Sequence, residues 1–464
     1  MSLTSFPYIL FLILCVTAYR LLPQRFRVPA LLTASVGFYL FAMPAQLPVM
    51  LIYLWVIYIL SIGIARRGKK GTPLLYLGIG ISVLYLFFYK YLDFGLSLLT
   101  GKSSVLSLAV PMGISYVTFQ CISYLLSVSR KQIPALTRPD KFFLYALFFA
   151  KVTAGPIEPP DRFFAELKKK DSPLTWKSTL SLVMLILVGF AKKIAAADLI
   201  APAVNSVFAL DGAADGLSTA IAIALYSAQI YFDFSGYTDI ALGSAALFGI
   251  NLTENFDHPY AASSVVDFWK RWHISLTNWL RSYVYFPLGG SRVPTGRRYL
   301  NIMIVFLTSG LWHGANLTYV VWGLLHGICQ VSEIALRKFL PPPEKPSALR
   351  RILSRARTFL LVALLWVFFR ASSVGNAFRV LGGLLNGWAA PGKALASLGL
   401  GAAAWILFLI TALGAGRMKD YALQKKFAPK TAVFLCVVLT LLIVIARITG
   451  AASGAANSFI YFNF

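Results

Sequence analysis

The sequence predicts an all-α, polytopic integral membrane protein of roughly eleven transmembrane helices, with interfacial and re-entrant helices between them. Three observations carry this. Hydrophobic residues make up 58% of the 464 positions and charged residues only 13%, about half the charge of an ordinary soluble domain. Mean hydropathy is +0.71. Long apolar runs recur along the chain, and the loops between the early ones alternate in charge. A soluble chain of this length would form roughly three domains, but there is too little polar surface here to cover them. The same composition excludes disorder and a disulfide-rich secreted scaffold.

The N-terminal quarter holds apolar runs near 6–19, 28–44, 47–65, 73–89 and 105–128. Residues 1–6 carry no basic side chain and no A-x-A site follows, so the first run reads as a retained span. Eleven basic residues (Arg20, Arg25, Arg27, Arg66, Arg67, Lys69, Lys70, Arg130, Lys131, Arg138, Lys141) fall in one set of loops. The other set holds one, Lys102. By the positive-inside rule the N-terminus lies outside. Pro111 and Gly113 predict a break in the fifth run.

Segments 142–157, 178–208 and 216–250 are apolar but carry Lys192, Lys193, Asp233 and Asp239. Ionisable groups at membrane depth face a protein interior or a water-filled cavity, so a cavity-bearing bundle is expected. A basic, Pro-rich linker follows at 341–357, then apolar runs near 358–370, 396–414 and 431–449. The terminal FIYFNF suits a membrane interface. No soluble domain and no internal repeat is evident.

The net charge of +26 would suggest nucleic acid in a soluble protein. Here the basic residues fit span ends facing anionic lipid, and no zinc-finger spacing or basic helical arm occurs. The cysteines, Cys15, Cys121, Cys329 and Cys436, are far apart and form no C-x-x-C, so neither a metal centre nor a disulfide framework is expected. Gly-x-Ser-x-Gly, Walker-type and His-x-x-x-His patterns are absent.

All four histidines, His258, His273, His313 and His326, fall within 69 residues. Imidazole is the side chain best suited to proton transfer near neutral pH. Read as one helix at about 100° per residue, 265–283 is amphipathic, with Trp269, Trp272 and Trp279 on one face. Lys270, Arg271, Asn278 and Arg281 lie on the other face, and His273 at the apolar edge. His273 then points inward, as an active group or as a core histidine bonded to a carbonyl. Ser309-Gly310-Leu311-Trp312-His313-Gly314-Ala315-Asn316 sets a histidine beside an indole and between glycines. That leaves room for a ligand; the alternative is glycine packing with an incidental histidine. His326 would lie about 220° from His313 on a continuous helix, so the two share a site only if the helix breaks or another segment intervenes. His258, in Asp257-His258-Pro259-Tyr260, reads as a turn.

At these residues the chain resembles the membrane-bound O-acyltransferase family, in its bacterial, alginate-acetylating branch. The matching stretches are PMGISYVTFQCISYL (111–125), KVTAGPIEPPDRF (151–163), QIYFDFSGYTDIALG (229–243), NFDHPYAASSVVDFWKRWHISLTNWLRSYVYFPLGGSR (255–292), LTSGLWHGANLTYVVWGLLHG (307–327) and WVFFRA (366–371), with the terminal FIYFNF. The resemblance covers essentially the whole chain. It implies one transmembrane domain, 1–464, with N-terminal helices over 1–130, a catalytic core over 131–340 and C-terminal helices over 341–464. A tunnel is implied across the membrane, its acyl donor entering from the cytoplasm and its acceptor from the other side.

The resemblance assigns the catalytic histidine to His313 and a second polar residue to His273. Trp312, His326, Asn316, Trp272 and Asn278 are the tunnel candidates. Lys270, Arg271 and Arg281 are candidates for the phosphates of a coenzyme A donor, or for lipid headgroups. Acetyl-CoA is the expected donor substrate, with no bound cofactor and no metal. The expected location is the bacterial inner membrane, and the expected partner a separate extracytoplasmic SGNH-type acetyltransferase. Some relatives carry an acid after the position of Tyr124, where this chain has Ser127-Val128-Ser129-Arg130. Peptidoglycan or other exopolysaccharide acetylation and D-alanylation of teichoic acid remain as alternatives. A secondary transporter is the alternative of another class, although no two matching halves are found.

Overall fold

The computed structural model describes residues 3–100, 106, 108–169, 174–340, 343, 347–424, 427–452 and 460. Among them every regular element is helical, apart from one isolated antiparallel bridge between Phe256 and Trp272. Among the described residues, seven stretches are long and apolar enough to cross a membrane, and Pro44–Lys90, the longest, contains two successive α-helices. Shorter apolar helices accompany them. The chain divides into two compact units, one of 1–186, 237–253 and 422–433, the other of 187–236, 254–421 and 434–464.

The first part of the chain forms α1 (Phe6–Leu21), α2 (Gln24–Ala42), α3 (Leu47–Arg67), α4 (Thr72–Lys90), α5 (Leu92–Thr100), α6 (Ile114–Ser129), α7 (Pro139–Leu147) and α8 (Pro160–Lys168). Proline occupies the first turn of α1, α3, α4, α7 and α8, where its missing N–H has no helical partner to lose. The expected break in the fifth run is real: Gly113 sits at φ 71, and α6 starts only after it. A Cβ at Gly113 would lie 2.0 Å from the Val152 carbonyl oxygen, so the glycine admits the irregular backbone that follows α7.

That backbone, 148–159, is buried apart from Pro159. Buried backbone outside a helix persists where its polar groups are satisfied. Here Lys151, fully buried, donates to Gln120 Oε1 and to the Tyr145 carbonyl at 2.5 Å each. Glu158 accepts from the backbone and hydroxyl of Thr253.

The second unit draws on the last residues of α9 (Trp176–Ala191), a π-helical stretch (Lys192–Asp198), α10 (Leu199–Ala209) and α11 (Gly216–Leu247) as far as Gly236. Two of the charges that the sequence placed at depth, Lys193 and Asp233, meet here. Lys193 Nζ lies 2.8 Å from Asp198 Oδ1 and 2.7 Å from Asp233 Oδ1, all three buried. The Ile460 amide donates to the other Asp233 oxygen at 2.7 Å. The rest of FIYFNF lies outside the described residues.

Then come α12 (Val265–Arg271), α13 (Ile274–Leu280), α14 (Thr295–His313), α15 (Leu317–Phe339), α16 (Ala348–Arg370), α17 (Val374–Gly382), α18 (Pro391–Ser397), α19 (Ala402–Leu423) and α20 (Pro429–Ala452). The linker expected over 341–357 is shorter than read: from Ala348 onward it is the start of α16. Ser347 Oγ accepts from the Arg350 amide and caps the helix. The basic residues there are exposed and good helix formers, so polarity marked a helix face and not a loop.

Candidate active site

The site begins with a helix that does not continue. One amphipathic helix was expected over 265–283, but the chain forms α12, an extended Trp272, a left-handed His273 at φ 44, and then α13. The reason lies in 255–257. The Asp257 amide donates to the Arg271 carbonyl at 3.0 Å, the Ile274 amide to the Asn255 carbonyl at 3.0 Å, and the Ser275 amide to Asn255 Oδ1 at 3.1 Å. These replace the helical bonds lost at the break. A left-handed non-glycine residue costs of order 1–3 kcal/mol and persists only where its surroundings over-determine it. Here Asn255 and the Phe256–Trp272 bridge do so.

The break buries His273, 1% exposed. Its ring stands edge-on to Phe234 at 4.8 Å and to Trp312 at 6.0 Å. Neither ring nitrogen has a hydrogen-bond partner among the described residues. His273 lies outside the membrane-spanning helices, and burial pushes its imidazole down to about 3, which keeps it neutral at physiological pH.

His313 closes α14, and Gly314 to Asn316 turn the chain back into α15. Asn316 Oδ1 caps α15 by accepting from the Thr318 amide at 3.0 Å, and its Nδ2 donates to the Ser372 carbonyl at 3.1 Å. Glycines let the two helices pack closely. A Cβ at Gly310 would lie 2.3 Å from the Tyr319 carbonyl oxygen, and one at Gly323 would lie 2.4 Å from that of Phe306. The turn is the break that the two distant histidines required. Trp322 now sits between them, 5.3 Å from the His313 ring and 5.0 Å from that of His326. His313 also meets Trp312 at 4.9 Å and Phe369 at 5.1 Å. Three histidines thus share one aromatic cluster, His273 and His313 through Trp312, His313 and His326 through Trp322.

Trp269, Trp272 and Trp279 are buried, as the apolar face requires, while Lys270, Asn278 and Arg281 are exposed. Asn278 therefore stands at the surface and not among the histidines. Trp272 packs behind His273, 5.0 Å from Phe256 and 4.9 Å from Trp366. Of the basic residues, Arg271 is engaged at 2.9 Å by Asp267 and at 3.7 Å by Asp257. Arg281 instead lines a cavity of about 240 Å³ together with Trp269, Tyr285, Arg298, Phe306 and Gln330. His258 lies in an exposed turn, paired with Asp257.

Sequence reasoning missed Asn255, Phe234, Phe369, Arg298 and Gln330. Gln330 had a signal, since it follows His326 by four residues and shares its helix face. The others come from segments far along the chain. Among the described residues no three His, Cys, Asp or Glu side chains gather as metal ligands would.

Buried histidines thus gather in an aromatic cluster, in a chain whose helices are long and apolar enough to cross a membrane. The model of the MBOAT, membrane-bound O-acyltransferase, family matches residues 76–370, and the chain belongs to that family. It is a multi-pass membrane O-acyltransferase, which sets aside the transporter alternative. It is 35% identical over 388 residues to a probable alginate O-acetylase of Pseudomonas putida, covering 81% of this chain and 78% of the relative. It is 34% identical over 394 residues to a peptidoglycan O-acetyltransferase of Helicobacter pylori, covering 77% and 74%. A teichoic acid D-alanyltransferase of Bacillus subtilis is 28% identical over 292 residues, covering 59% and 72%.

Proposed function

We propose that this protein takes an acetyl group from cytoplasmic acetyl-CoA and passes it through the membrane for O-acetylation of an exported, alginate-type polysaccharide. The observation that carries the reading is the buried His273–Trp312–His313 cluster at the end of α14. Acyl transfer to a hydroxyl needs a base for the hydroxyl proton, and a neutral imidazole in a dry interior serves. His313 accepts that proton as the acceptor oxygen attacks the thioester carbonyl. The C–O bond forms, the C–S bond breaks, and the proton passes to the departing thiolate. His273, neutral and with no hydrogen-bond partner among the described residues, orients the acyl carbonyl.

The donor enters through the cavity beside Arg281 and Arg298. At about 240 Å³ it falls below the roughly 300–1,000 Å³ of sites that hold a drug-sized ligand. That suits a thin thioester arm, with the phosphates left to the guanidiniums. Lys270 and Arg271 are reassigned, one to the lipid or water surface and the other to its carboxylate partners.

The charge alternation of the early loops supports an N-terminus outside and residence in the inner membrane. An extracytoplasmic SGNH-type partner completes transfer to the polymer. Peptidoglycan is the second reading for the acceptor, favoured by the similarity to the Helicobacter pylori enzyme. The test is acetylation of the exported polymer in cells carrying His313→Ala, with membrane insertion checked in parallel. Acetylation is expected to vanish. Retained acetylation by a correctly inserted variant would remove His313 as the base.

A further inference from the structure

The transfer reaction places a negative charge on the carbonyl oxygen of the tetrahedral intermediate, and that oxygen needs donors in a water-free interior. Two buried N–H groups of α15 belong to the same aromatic cluster as His313, one on Trp322 next to it and one on His326 beyond Trp322. Trp322, 1% exposed, is 5.3 Å from the His313 ring, and its Nε1 has no hydrogen-bond partner among the described residues. His326, fully buried, is 5.0 Å from Trp322, and its Nε2 likewise has none. A buried donor left open costs of order 1–3 kcal/mol, so two of them side by side in a packed hairpin call for a reason.

The state of His326 follows from its other nitrogen. Trp269 Nε1 can only donate, and it donates to His326 Nδ1 at 3.3 Å. Nδ1 therefore holds the lone pair, and in the neutral ring the proton sits on Nε2. Trp269 thus fixes the tautomer that makes Nε2 a donor. Trp269 and Phe306, which flank His326, are also walls of the cavity beside Arg281 and Arg298. Neither Trp322 nor His326 lines that cavity itself; Trp269 and Phe306 stand between it and His326, with rings 5.0 and 6.2 Å from the imidazole.

We propose that Trp322 Nε1–H and His326 Nε2–H form the oxyanion-binding pair of this enzyme, with Trp269 as the positioning residue that holds His326 in its donor tautomer. The proposal rests on the acyl-transfer reading above. As the acceptor oxygen adds to the carbonyl carbon, the carbonyl π-electrons move onto oxygen and are held by the two donors. The hydroxyl proton goes to His313. When the C–S bond breaks, the electrons return to re-form the carbonyl, and the proton leaves with the thiolate sulfur. No further reactant is needed beyond a thioester and a hydroxyl.

The experiment uses the full-length protein in lipid nanodiscs with radiolabelled acetyl-CoA, reads acetyl transfer or hydrolysis as release of the coenzyme A thiol, and compares wild type with His326→Leu, His326→Gln, Trp322→Phe and Trp269→Phe. Loss of one oxyanion donor lowers kcat by about 10²–10³-fold. Because the charge exists only in the transition state, the donor KM stays near the wild-type value. His326→Gln keeps an N–H at similar reach and recovers most of the loss, while Trp269→Phe falls between. Melting temperatures are read on each variant, and if His326→Leu does not insert, Trp322→Phe and His326→Gln decide. Folded variants that keep kcat, or in which leucine serves as well as glutamine, would overturn the oxyanion assignment and leave the acyltransferase reading standing. A wild type that neither transfers nor hydrolyses the acetyl group of acetyl-CoA would overturn that reading, and the assignment with it.

Discussion

Gly323→Ala tests whether the close packing of α14 on α15 sets the distances on which the chemistry depends. The added Cβ would stand 2.4 Å from the Phe306 carbonyl oxygen and 3.3 Å from Gly310 Cα, where ordinary contact begins near 3.4 Å. The obstacle is backbone, so no rotamer change relieves it, and the helices must part by about 1 Å. Trp322 precedes the altered residue and His313 lies on the opposing helix, so their 5.3 Å ring separation widens with the hairpin. Overpacking of this kind costs about 1–3 kcal/mol, and a misplacement of ~1 Å at a reacting centre lowers the rate by roughly 10². Gly327→Ala is the control, because its Cβ meets the Met303 sulfur at 2.9 Å, and a flexible thioether moves aside. Acetyl turnover in nanodiscs, with melting temperature alongside, should show a roughly hundredfold fall for Gly323→Ala and a change of no more than a few-fold for Gly327→Ala. Wild-type turnover and stability in Gly323→Ala would refute the reasoning.

Asn255→Ala removes the acceptor of the Ser275 amide and should cost about 1–3 kcal/mol, with kcat falling as His273 loses its fixed orientation; denaturation and kinetics on one preparation check this. Arg281→Met and Arg298→Met should each raise the donor KM by about tenfold, in line with the loss of a charge-assisted hydrogen bond, and leave kcat largely intact, whereas exposed Lys270→Ala should change KM less than twofold. Burial holds His273 neutral at any pH above about 3, so its charge does not change between pH 5 and 8. His273→Asn should therefore lower the rate yet leave the limbs of the pH–rate profile in place. Loss of a limb would show that His273 titrates in the working enzyme.

Much of the bundle was legible because periodicity and charge report directly on a bilayer. The early runs, the break at Gly113, the buried charges of α9 to α11 and the apolar tryptophan face of 265–283 all follow from where apolar and ionisable side chains can sit. The first half of α16 was misread, because exposed arginines mark a helix face and a loop equally well in one dimension. The break at Trp272–His273 was hidden for a different reason. It is written in Asn255 to Asp257, whose hydrogen bonds stitch it, and periodicity within 265–283 has no access to that partner. His313 and His326 were singled out, but their meeting around Trp322 depends on a turn at Gly314 to Asn316 that the sequence left as one of two possibilities. Arg298 entered only with the cavity it lines, and Asn278, polar and near the right motif, faces away.

The measurement that bears most directly on the function is single-preparation turnover of radiolabelled acetyl-CoA by the full-length protein in nanodiscs, wild type against His313→Ala. The expected result is acetyl transfer or hydrolysis by the wild type and its loss in a folded variant that still binds the donor. Equal turnover by both forms would contradict the assignment of His313 as the base on which the mechanism is built.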